Sequence, residues 1–309
     1  MKGGASSGTK VGTTFPKKGG TTFPKKVGII GGSGIYNPSM FRDVKAVHVD
    51  TPFGLPSDPL MVGEHDGTEV VFLSRHGAGH RFSPSTVNYR ANIMALKKMG
   101  VTHVISVSAV GSLREDYRPL DIVIPDQVFD RTRGRASTFF DEGIVAHVGF
   151  ADPFCPELSK VLYDAAREQC SARGRGTYLC MEGPQFSTRA ESNVYRRLGF
   201  DIIGMTALPE ARLAREAEMC YAIVASVTDY DVWHEEQVTI EQVLENAAKN
   251  EKAVQDVLLR AIGRIPERPA CGCAGALRGA VATSPGAIPA ETRRKLSLLL
   301  DKYFTDHQE

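Results

Sequence analysis

The chain has 309 residues, of which 42% are hydrophobic and 24% are charged, values typical of a globular protein with a sizeable core. Its 37 basic and 36 acidic residues leave a formal net charge of +1, so no overall field would attract nucleic acid or an anionic membrane. No apolar run reaches the roughly 18 residues that a membrane-spanning helix needs, and residues 1–26 lack the apolar core of a signal peptide. These features predict a cytoplasmic protein.

Residues 1–26 are rich in Gly, Ser, Thr and Lys and contain the hexapeptide Thr-Thr-Phe-Pro-Lys-Lys twice, which predicts a flexible arm outside the fold. Residues 27–34 form a short apolar strand that runs into a glycine turn. Glycines let backbone N–H groups approach an anion. The Gly-Lys-Ser/Thr of a P-loop is missing, and Asn37 occupies the place of the third glycine of a dinucleotide fingerprint. The turn alone leaves tight packing and anion binding both open.

Two strand-like runs, residues 59–64 and 69–74, flank His65-Asp66-Gly67, a hairpin turn signal. The second run ends in a stretch of four cationic or titratable side chains and two glycines. There, Arg75 would supply a bidentate fork to an anion and His76 a charge-assisted hydrogen bond. A solvated basic loop is the alternative interpretation.

Strands and helices alternate along the rest of the chain. Apolar runs predict strands at residues 104–110, 121–125, 177–181, 200–205 and 220–227. Helical spacing and cap residues predict helices at residues 87–99, 156–173, from 188, 209–218, 239–262 and 290–304. A basic loop is predicted at residues 130–135. Gly263 is placed to end the helix predicted at residues 239–262. The expected fold is one α/β domain over residues 27–263, with a mixed, mostly parallel sheet between helices, and a linker and C-terminal helix over residues 264–309.

The six cysteines are too few for a disulfide scaffold in a chain of this length. Buried thiols are predicted at Cys155, Cys170, Cys180 and Cys220. Cys271-Gly272-Cys273 lies in the linker and lacks a second Cys or His pair at zinc-finger spacing. Reduced thiols and a reversible disulfide both remain open for this motif, and no metal site is expected.

Polar side chains follow the predicted strands, at the edge where ligands bind in open α/β sheets. The hydroxyl, guanidinium and imidazole groups of Ser33, Arg75, His76, Ser108 and Thr206 suit a small tetrahedral anion. Paired carboxylates at Asp229 and Asp231, beside the only tryptophan, suit a flat heterocycle that carries nitrogen. A single pocket with phosphate at one end and a base at the other could cleave a sugar–base bond with phosphate, without a metal.

Nine motifs follow one another between about residues 26 and 262. They are Gly31-Gly-Ser-Gly34, Thr51-Pro-Phe-Gly-Leu-Pro-Ser57, Arg75-His-Gly77, Asn88-Tyr-Arg-Ala-Asn92, Gly111-Ser-Leu-Arg-Glu115, Asp152-Pro-Phe-Cys155, Glu182-Gly-Pro-Gln-Phe-Ser187, Met205-Thr206 and Thr228-Asp-Tyr-Asp-Val-Trp233. In this order they resemble the motifs of the S-methyl-5′-thioadenosine phosphorylases, trimeric members of the purine nucleoside phosphorylase family. The resemblance implies phosphorolysis of methylthioadenosine to adenine and 5-methylthioribose 1-phosphate. Phosphate is then a co-substrate, no cofactor is needed, and the assembly is a homotrimer or a dimer of trimers.

The resemblance also implies roles for individual residues. The phosphate ligands would be Ser33, Arg75, His76, Ser108, Ala109 and Thr206. The substrate would contact Phe186 at the base, Met205 near the ribose, Val238, Val243 and Leu244 at the methylthio group, and Ile203, Asp229 and Asp231. The loop after Phe139-Phe140 is shorter than in the more familiar members, which leaves open a neighbouring subunit's contribution and a substitute role for His147.

Protonation at purine N7 calls for a general acid in a poorly solvated pocket. We expect Asp229 to be this acid and Asp231 to accept a hydrogen bond from the 6-amino group. Two aspartates disfavour a 6-oxopurine nucleoside phosphorylase, since such family members usually carry Asn at the first position. A dinucleotide-binding oxidoreductase and a non-catalytic nucleoside-binding protein are the alternatives from other classes.

Overall fold

The structure is a computed structural model that describes residues 25–32, 35, 37–234, 238–267 and 269–304. Of the predicted arm only two residues lie in this part. The Lys25 side chain is buried and Lys26 begins the first strand, so both belong to the fold rather than to an arm. Among the described residues, no helix has the length and apolar character that crossing a membrane requires.

The described residues form one eleven-stranded sheet and seven α-helices. The strands are β1 (Lys26–Gly31), β2 (Arg42–Val47), β3 (Leu60–His65), β4 (Thr68–Ser74), β5 (His103–Ser112), β6 (Ile122–Val123), β7 (Gln127–Arg131), β8 (Ala172–Arg173), β9 (Thr177–Met181), β10 (Ile202–Gly204) and β11 (Cys220–Asp229). The helices are α1 (Tyr89–Lys98), α2 (Pro156–Ala166), α3 (Arg189–Arg197), α4 (Ala207–Glu216), α5 (Ile240–Arg264), α6 (Ala290–Lys295) and α7 (Ser297–Leu300).

Strand β5 is the branch point of the sheet. It pairs in parallel with β1 and β11 and antiparallel with β10. The main path runs β2-β3-β4-β1-β5-β10-β9-β7, and β11 continues through β6 to β8. Six pairings are parallel and four antiparallel. The predicted α/β fold with a mixed, mostly parallel sheet is therefore confirmed, and the carboxyl ends of β5 and β11 lie side by side.

Helices cover both faces of the sheet, because successive side chains of each central strand point to opposite sides. Val104 belongs to a core shared with α1 and α4, whereas Ile105 belongs to a second core shared with α2 and α5. In β11, Ile223 and Val224 divide in the same way. The unbroken apolar run of β11 thus reflects burial on two faces, as expected for a parallel strand.

Several predicted boundaries are wrong. Residues 127–131 form β7, which includes the first two residues of the basic loop predicted at residues 130–135. It is an edge strand, and its half-exposed side chains give no apolar run. Helix α2 stops at Ala166 because residues 172–173 pair with β6. Gly263 does not end α5, which continues to Arg264 and stops before Pro266, whose preceding residue disfavours helical backbone.

The C-terminal segment, residues 264–304, packs on the same chain. Leu277, Leu296 and Leu300 join the core on the α1/α4 side, and the backbone N–H of Leu277 donates to Glu218 Oε1 at 3.1 Å. The predicted last helix is broken into α6 and α7 at Leu296, where φ is −103°. Cys271 and Cys273 have no second pair at zinc-finger spacing along the chain, but the fold brings Cys155 and Cys220 beside them.

Candidate active site

The predicted aspartate pair lies at the carboxyl end of β11, where the strand register with β5 shifts between Val227 and Asp229. A one-turn 3-10 helix, Asp231–Trp233, follows directly. Asp231 has φ of 51°, a left-handed conformation that Asp and Asn adopt more readily than most residues. The shift and the turn place the Asp229 carboxylate and the Cβ atom of Asp231 over the same residue of β5, Gly111.

Gly111 leaves no room for a side chain. A Cβ atom there would lie 2.8 Å from Asp229 Oδ1, 3.1 Å from Ile203 Cγ2 and 3.3 Å from Asp231 Cβ. The glycine therefore lets both aspartates lie against the strand, and the predicted substrate residue Ile203 borders the same spot. Ile203 is itself buried.

Asp229 is buried and accepts two hydrogen bonds from its own loop. Its Oδ1 accepts from the backbone N–H of Asp231 at 2.8 Å, and its Oδ2 from the Thr228 hydroxyl at 2.7 Å. Burial raises the pKa of Asp229 above its usual range, while these two bonds act in the opposite direction. The carboxyl group is held in one orientation and is easier to protonate than an exposed aspartate.

Asp231 has one oxygen without a partner. Its Oδ2 is buried and has no hydrogen bond to the part of the chain that the structure describes, and the same holds for the Ser192 hydroxyl. Burial raises the pKa of Asp231 to about 6, while the Ser192 side chain and the backbone N–H of Val232 act in the opposite direction. The Ser192 hydroxyl therefore lies close to this carboxylate, and a small shift would pair the two buried groups.

A cavity of about 210 Å³ opens beside the pair. Its lining consists of Pro119, Asp229, Tyr230, Asp231, His234, Val238 and Gln242. Trp233 is not part of it, because the indole N–H donates to the carbonyl of Ser112 at 2.8 Å and Arg196 stacks on the ring at 3.5 Å. The tryptophan braces the turn, and Tyr230 and His234 are the aromatic residues at the cavity.

The predicted phosphate residues Ser108, in β5, and Thr206, which follows β10, come together. The Ser108 hydroxyl lies 3.3 Å from that of Thr206 and 3.1 Å from that of Tyr178. All three side chains are buried. Ala109 is the one exposed residue of β5, although the strand is in the middle of the sheet, so it faces open space. Ser33 lies outside the described residues.

Sequence analysis did not identify Tyr178 as a site residue, because an aromatic residue inside an apolar strand is usually part of the hydrophobic core.

His76 is neutral in this arrangement. Its Nδ1 lies 2.8 Å from the carbonyl oxygen of Phe82, and its ring stacks on His80 at 4.2 Å. Burial lowers the pKa of His76 to about 4, and Arg75 adds to the effect. Because a carbonyl accepts only, Nδ1 carries the hydrogen and Nε2 is an acceptor. The predicted charge-assisted donor is thus an uncharged ring in the ligand-free site.

The guanidinium of Arg75 is occupied by another partner. It is buried and binds both oxygens of the buried Glu210, at 2.9 and 3.0 Å, and Ser106 Oγ at 2.7 Å. Burial alone would lower the pKa of Arg75, but the charge and hydrogen bonds of Glu210 outweigh it and raise the pKa. The bidentate fork predicted for phosphate is therefore directed at a carboxylate. Glu210 gave no signal in the sequence, since it lies in a helix among other charged residues.

Arg135 organises the loops after β9 and β10. Its buried guanidinium donates to the carbonyl oxygens of Glu182 at 2.6 Å, Met205 at 2.7 Å and Leu208 at 2.7 Å, and pairs with the Glu182 carboxylate at 3.0 Å. The Met205 sulfur packs on Gly183. Sequence analysis placed Arg135 in a basic loop and assigned it no role, so this function was missed.

The other predicted substrate residues are less enclosed. Phe186 is 41% and Leu244 61% exposed, whereas Val243 and Val238 are half-buried. Only Val238 of these four borders the cavity beside the aspartates. His147 is exposed, and its backbone N–H donates to the carbonyl of Ala280 at 2.8 Å.

Comparison with known proteins identifies the family. The model of the phosphorylase superfamily matches residues 26–263. The S-methyl-5′-thioadenosine phosphorylase of Koribacter versatilis is 53% identical over 285 residues, 91% of this chain and 98% of that protein. A methylthioadenosine phosphorylase from an antarctic soil metagenomic library has a crystal structure with a TM-score of 0.85 and 48% identity, over 90% of this chain and 99% of that one.

A second solved structure, methylthioadenosine phosphorylase from Schistosoma mansoni in complex with adenine, has a TM-score of 0.78 and 40% identity. It covers 82% of this chain and 96% of its own. The matches in sequence and structure thus extend over nearly the whole length of the relatives. The chain belongs to the S-methyl-5′-thioadenosine phosphorylases of the phosphorylase superfamily.

Proposed function

We infer that this protein catalyses the phosphorolysis of S-methyl-5′-thioadenosine, which yields adenine and 5-methylthioribose 1-phosphate. The observation that carries this conclusion is the buried aspartate pair at the end of β11, in a chain 53% identical to a relative named for that activity. Inorganic phosphate is the co-substrate, and the protein supplies the remaining groups from its own side chains.

At the phosphate end, we assign the anion to the hydroxyls of Ser108 and Thr206, the exposed Ala109 and the free Nε2 of His76. Ser33 would complete this site. The Nε2 acceptor suits the P–OH group of hydrogen phosphate. The bound anion then faces the ribose, where it stabilises the positive charge that develops as the glycosidic bond breaks. The guanidinium of Arg75 is paired with Glu210, so we assign it no direct bond to the anion.

At the base end, the proposed general acid is Asp229. A purine over the carboxyl group removes further water and so raises its pKa, which favours the protonated form that N7 needs. The Asp231 carboxylate, which borders the cavity, accepts an N–H of the 6-amino group. A 6-oxo base would place its own acceptor there, and sites of this kind discriminate by ~10⁴-fold.

The remaining predicted contacts stay proposals. Met205 would lie at the ribose, Phe186 and Ile203 at the base, and Val238, Val243 and Leu244 at the methylthio group. The exposed Leu244 and Ile240 on α5 are apolar surface that a neighbouring subunit could cover. This is consistent with the homotrimer or dimer of trimers that the family resemblance implies, in a cytoplasmic enzyme.

A substrate panel tests the proposal. Methylthioadenosine, adenosine, inosine and methylthioinosine are each incubated with and without phosphate, and release of the free base is followed. Phosphate-dependent release of adenine from methylthioadenosine is expected, with methylthioinosine slower by orders of magnitude. Equal rates with both bases would overturn the role of Asp231, and release without phosphate would overturn phosphorolysis itself.

A further inference from the structure

Four cysteines from three distant parts of the chain lie close together in the fold. The Sγ atoms of Cys155, Cys220, Cys271 and Cys273 all lie within 4.8 Å of one another. The Sγ atoms of Cys220 and Cys271 are 3.3 Å apart. For Zn–S bonds of about 2.3 Å, the sulfur atoms of a tetrahedral site are about 3.8 Å apart. The thiols are therefore already close to the spacing of a tetrathiolate site.

Cys155 and Cys220 are positioned by regular secondary structure. Cys155 precedes the first turn of α2 and accepts a hydrogen bond from the backbone N–H of Leu158 at 3.5 Å, and its own N–H donates to Tyr221 at 2.8 Å. Cys220 is the first residue of β11, and its N–H donates to Thr102 at 2.9 Å. The backbone that carries two of the four sulfur atoms is thus hydrogen-bonded to the sheet.

The Cys271-Gly272-Cys273 turn is docked onto the same helix. The Glu157 carboxylate accepts from the backbone N–H groups of Ala270 at 2.9 Å and Cys271 at 3.3 Å. Cys155, Cys220 and Cys273 are buried, and Cys271 is half-buried, which leaves an entry route for an ion on one side.

The helix terminus at the cluster also favours thiolates that bind a cation. Four thiolates and one Zn²⁺ carry a net charge of −2. The amino terminus of α2, at Cys155, favours negative charge.

We propose that Cys155, Cys220, Cys271 and Cys273 bind one zinc ion in a closed structural site that fastens the C-terminal segment to the α/β domain. Binding replaces four S–H bonds with four Zn–S bonds and releases four protons, with no change of oxidation state. All four coordination positions are filled by protein, as in structural rather than catalytic zinc sites.

The site is separate from the proposed chemistry. Cys220 and Asp229 stand at opposite ends of β11, and nine residues of extended strand span roughly 30 Å. Loss of the ion should therefore reduce stability first, and kcat only where the C-terminal segment detaches. The spacing of the cysteines along the chain hides this site, because two of its ligands precede the Cys271-Gly272-Cys273 motif by about 50 residues or more.

The test is metal analysis of the full chain expressed in zinc-containing medium. One zinc per chain is expected in the wild type and in Cys170→Ser, which changes a half-buried cysteine outside the cluster. Cys273→Ser should lose more than nine-tenths of the zinc. Wild-type protein with no zinc, or Cys273→Ser with a full complement, would overturn the proposal.

A second measurement covers the case in which Cys273→Ser does not fold. Wild-type protein is denatured without reductant, with a chelator and an alkylating reagent, and weighed intact. Six alkylated thiols are expected; only two would mean that the cluster forms two disulfides instead. Cobalt added to metal-free wild type should give the visible absorption of a tetrahedral thiolate complex, and its absence would count against the site.

Discussion

Replacement of Gly111 by alanine should damage the base site with little effect on the fold. The new Cβ would lie 2.8 Å from Asp229 Oδ1, about 0.6 Å short of an ordinary contact, so the carboxylate or the strand must move. Overpacking of this kind costs ~1–3 kcal/mol of stability. A displacement of about 1 Å at reacting groups can cost ~10²-fold in rate, so we expect kcat/KM for methylthioadenosine to fall roughly 10- to 100-fold.

The matched control is Gly28→Ala in β1. Its Cβ would lie 3.0 Å from Val101 Cγ1 and 3.4 Å from Leu96, so the crowding is with apolar side chains away from the aspartates. Both variants should lower the urea midpoint by similar amounts, and only Gly111→Ala should lose activity per folded molecule. A Gly111→Ala enzyme with wild-type kcat/KM, or equal losses of activity in both variants, would refute this account of the site.

Three other residues give further predictions. Burial raises the pKa of Asp231 to about 6, so kcat/KM for methylthioadenosine should fall as the pH drops below about 6. Asp231→Asn should abolish this loss of activity at acidic pH. A loss that persists in the variant contradicts the assignment. Glu210→Gln leaves the Arg75 charge buried without its partner and should lower the free energy of unfolding in urea by ~3–5 kcal/mol. The control, exposed Glu241→Gln, should lower it by almost nothing. Equal losses in the two variants would argue against a stabilising role of the ion pair. Arg135→Lys removes the planar fork that reaches three carbonyl oxygens and the Glu182 carboxylate together, and it should lower kcat/KM about tenfold. Exposed Arg133→Lys is the control, and no loss in Arg135→Lys would dismiss Arg135 as a positioning residue.

The sheet and the aspartate pair could be predicted because both depend on local patterns. An apolar, β-branched run such as residues 220–227 identifies a strand buried on two faces, and a polar pair directly after it lies at the ligand edge. Strand β7 was not predicted, since an edge strand with half-exposed side chains carries no such run. β7 forms because it pairs with β9, a long-range interaction that the local sequence does not indicate.

The parts of the site that sequence reasoning missed depend on long-range partners as well. Nothing near Arg75 in the sequence indicates that Glu210, 135 residues later, takes both arms of its guanidinium. In the same way, the cysteine cluster joins residues of α2, β11 and the C-terminal segment. Residue type and spacing predict which groups are available, but the fold decides which of them are already engaged.

The neutral ring of His76 also bears on which tetrahedral anions this enzyme tolerates. With Nδ1 donating to Phe82 and Arg75 neutralised by Glu210, the anion meets an acceptor nitrogen and little free positive charge. Hydrogen phosphate can donate a proton to that nitrogen, whereas sulfate carries none at neutral pH and would place lone pair against lone pair. Sulfate should therefore be a poor competitor of phosphate, and strong inhibition by sulfate at equal concentration would mean that His76 is protonated in the complex. If sulfate competes poorly, the selectivity of the enzyme for its inorganic substrate rests on one imidazole tautomer rather than on charge.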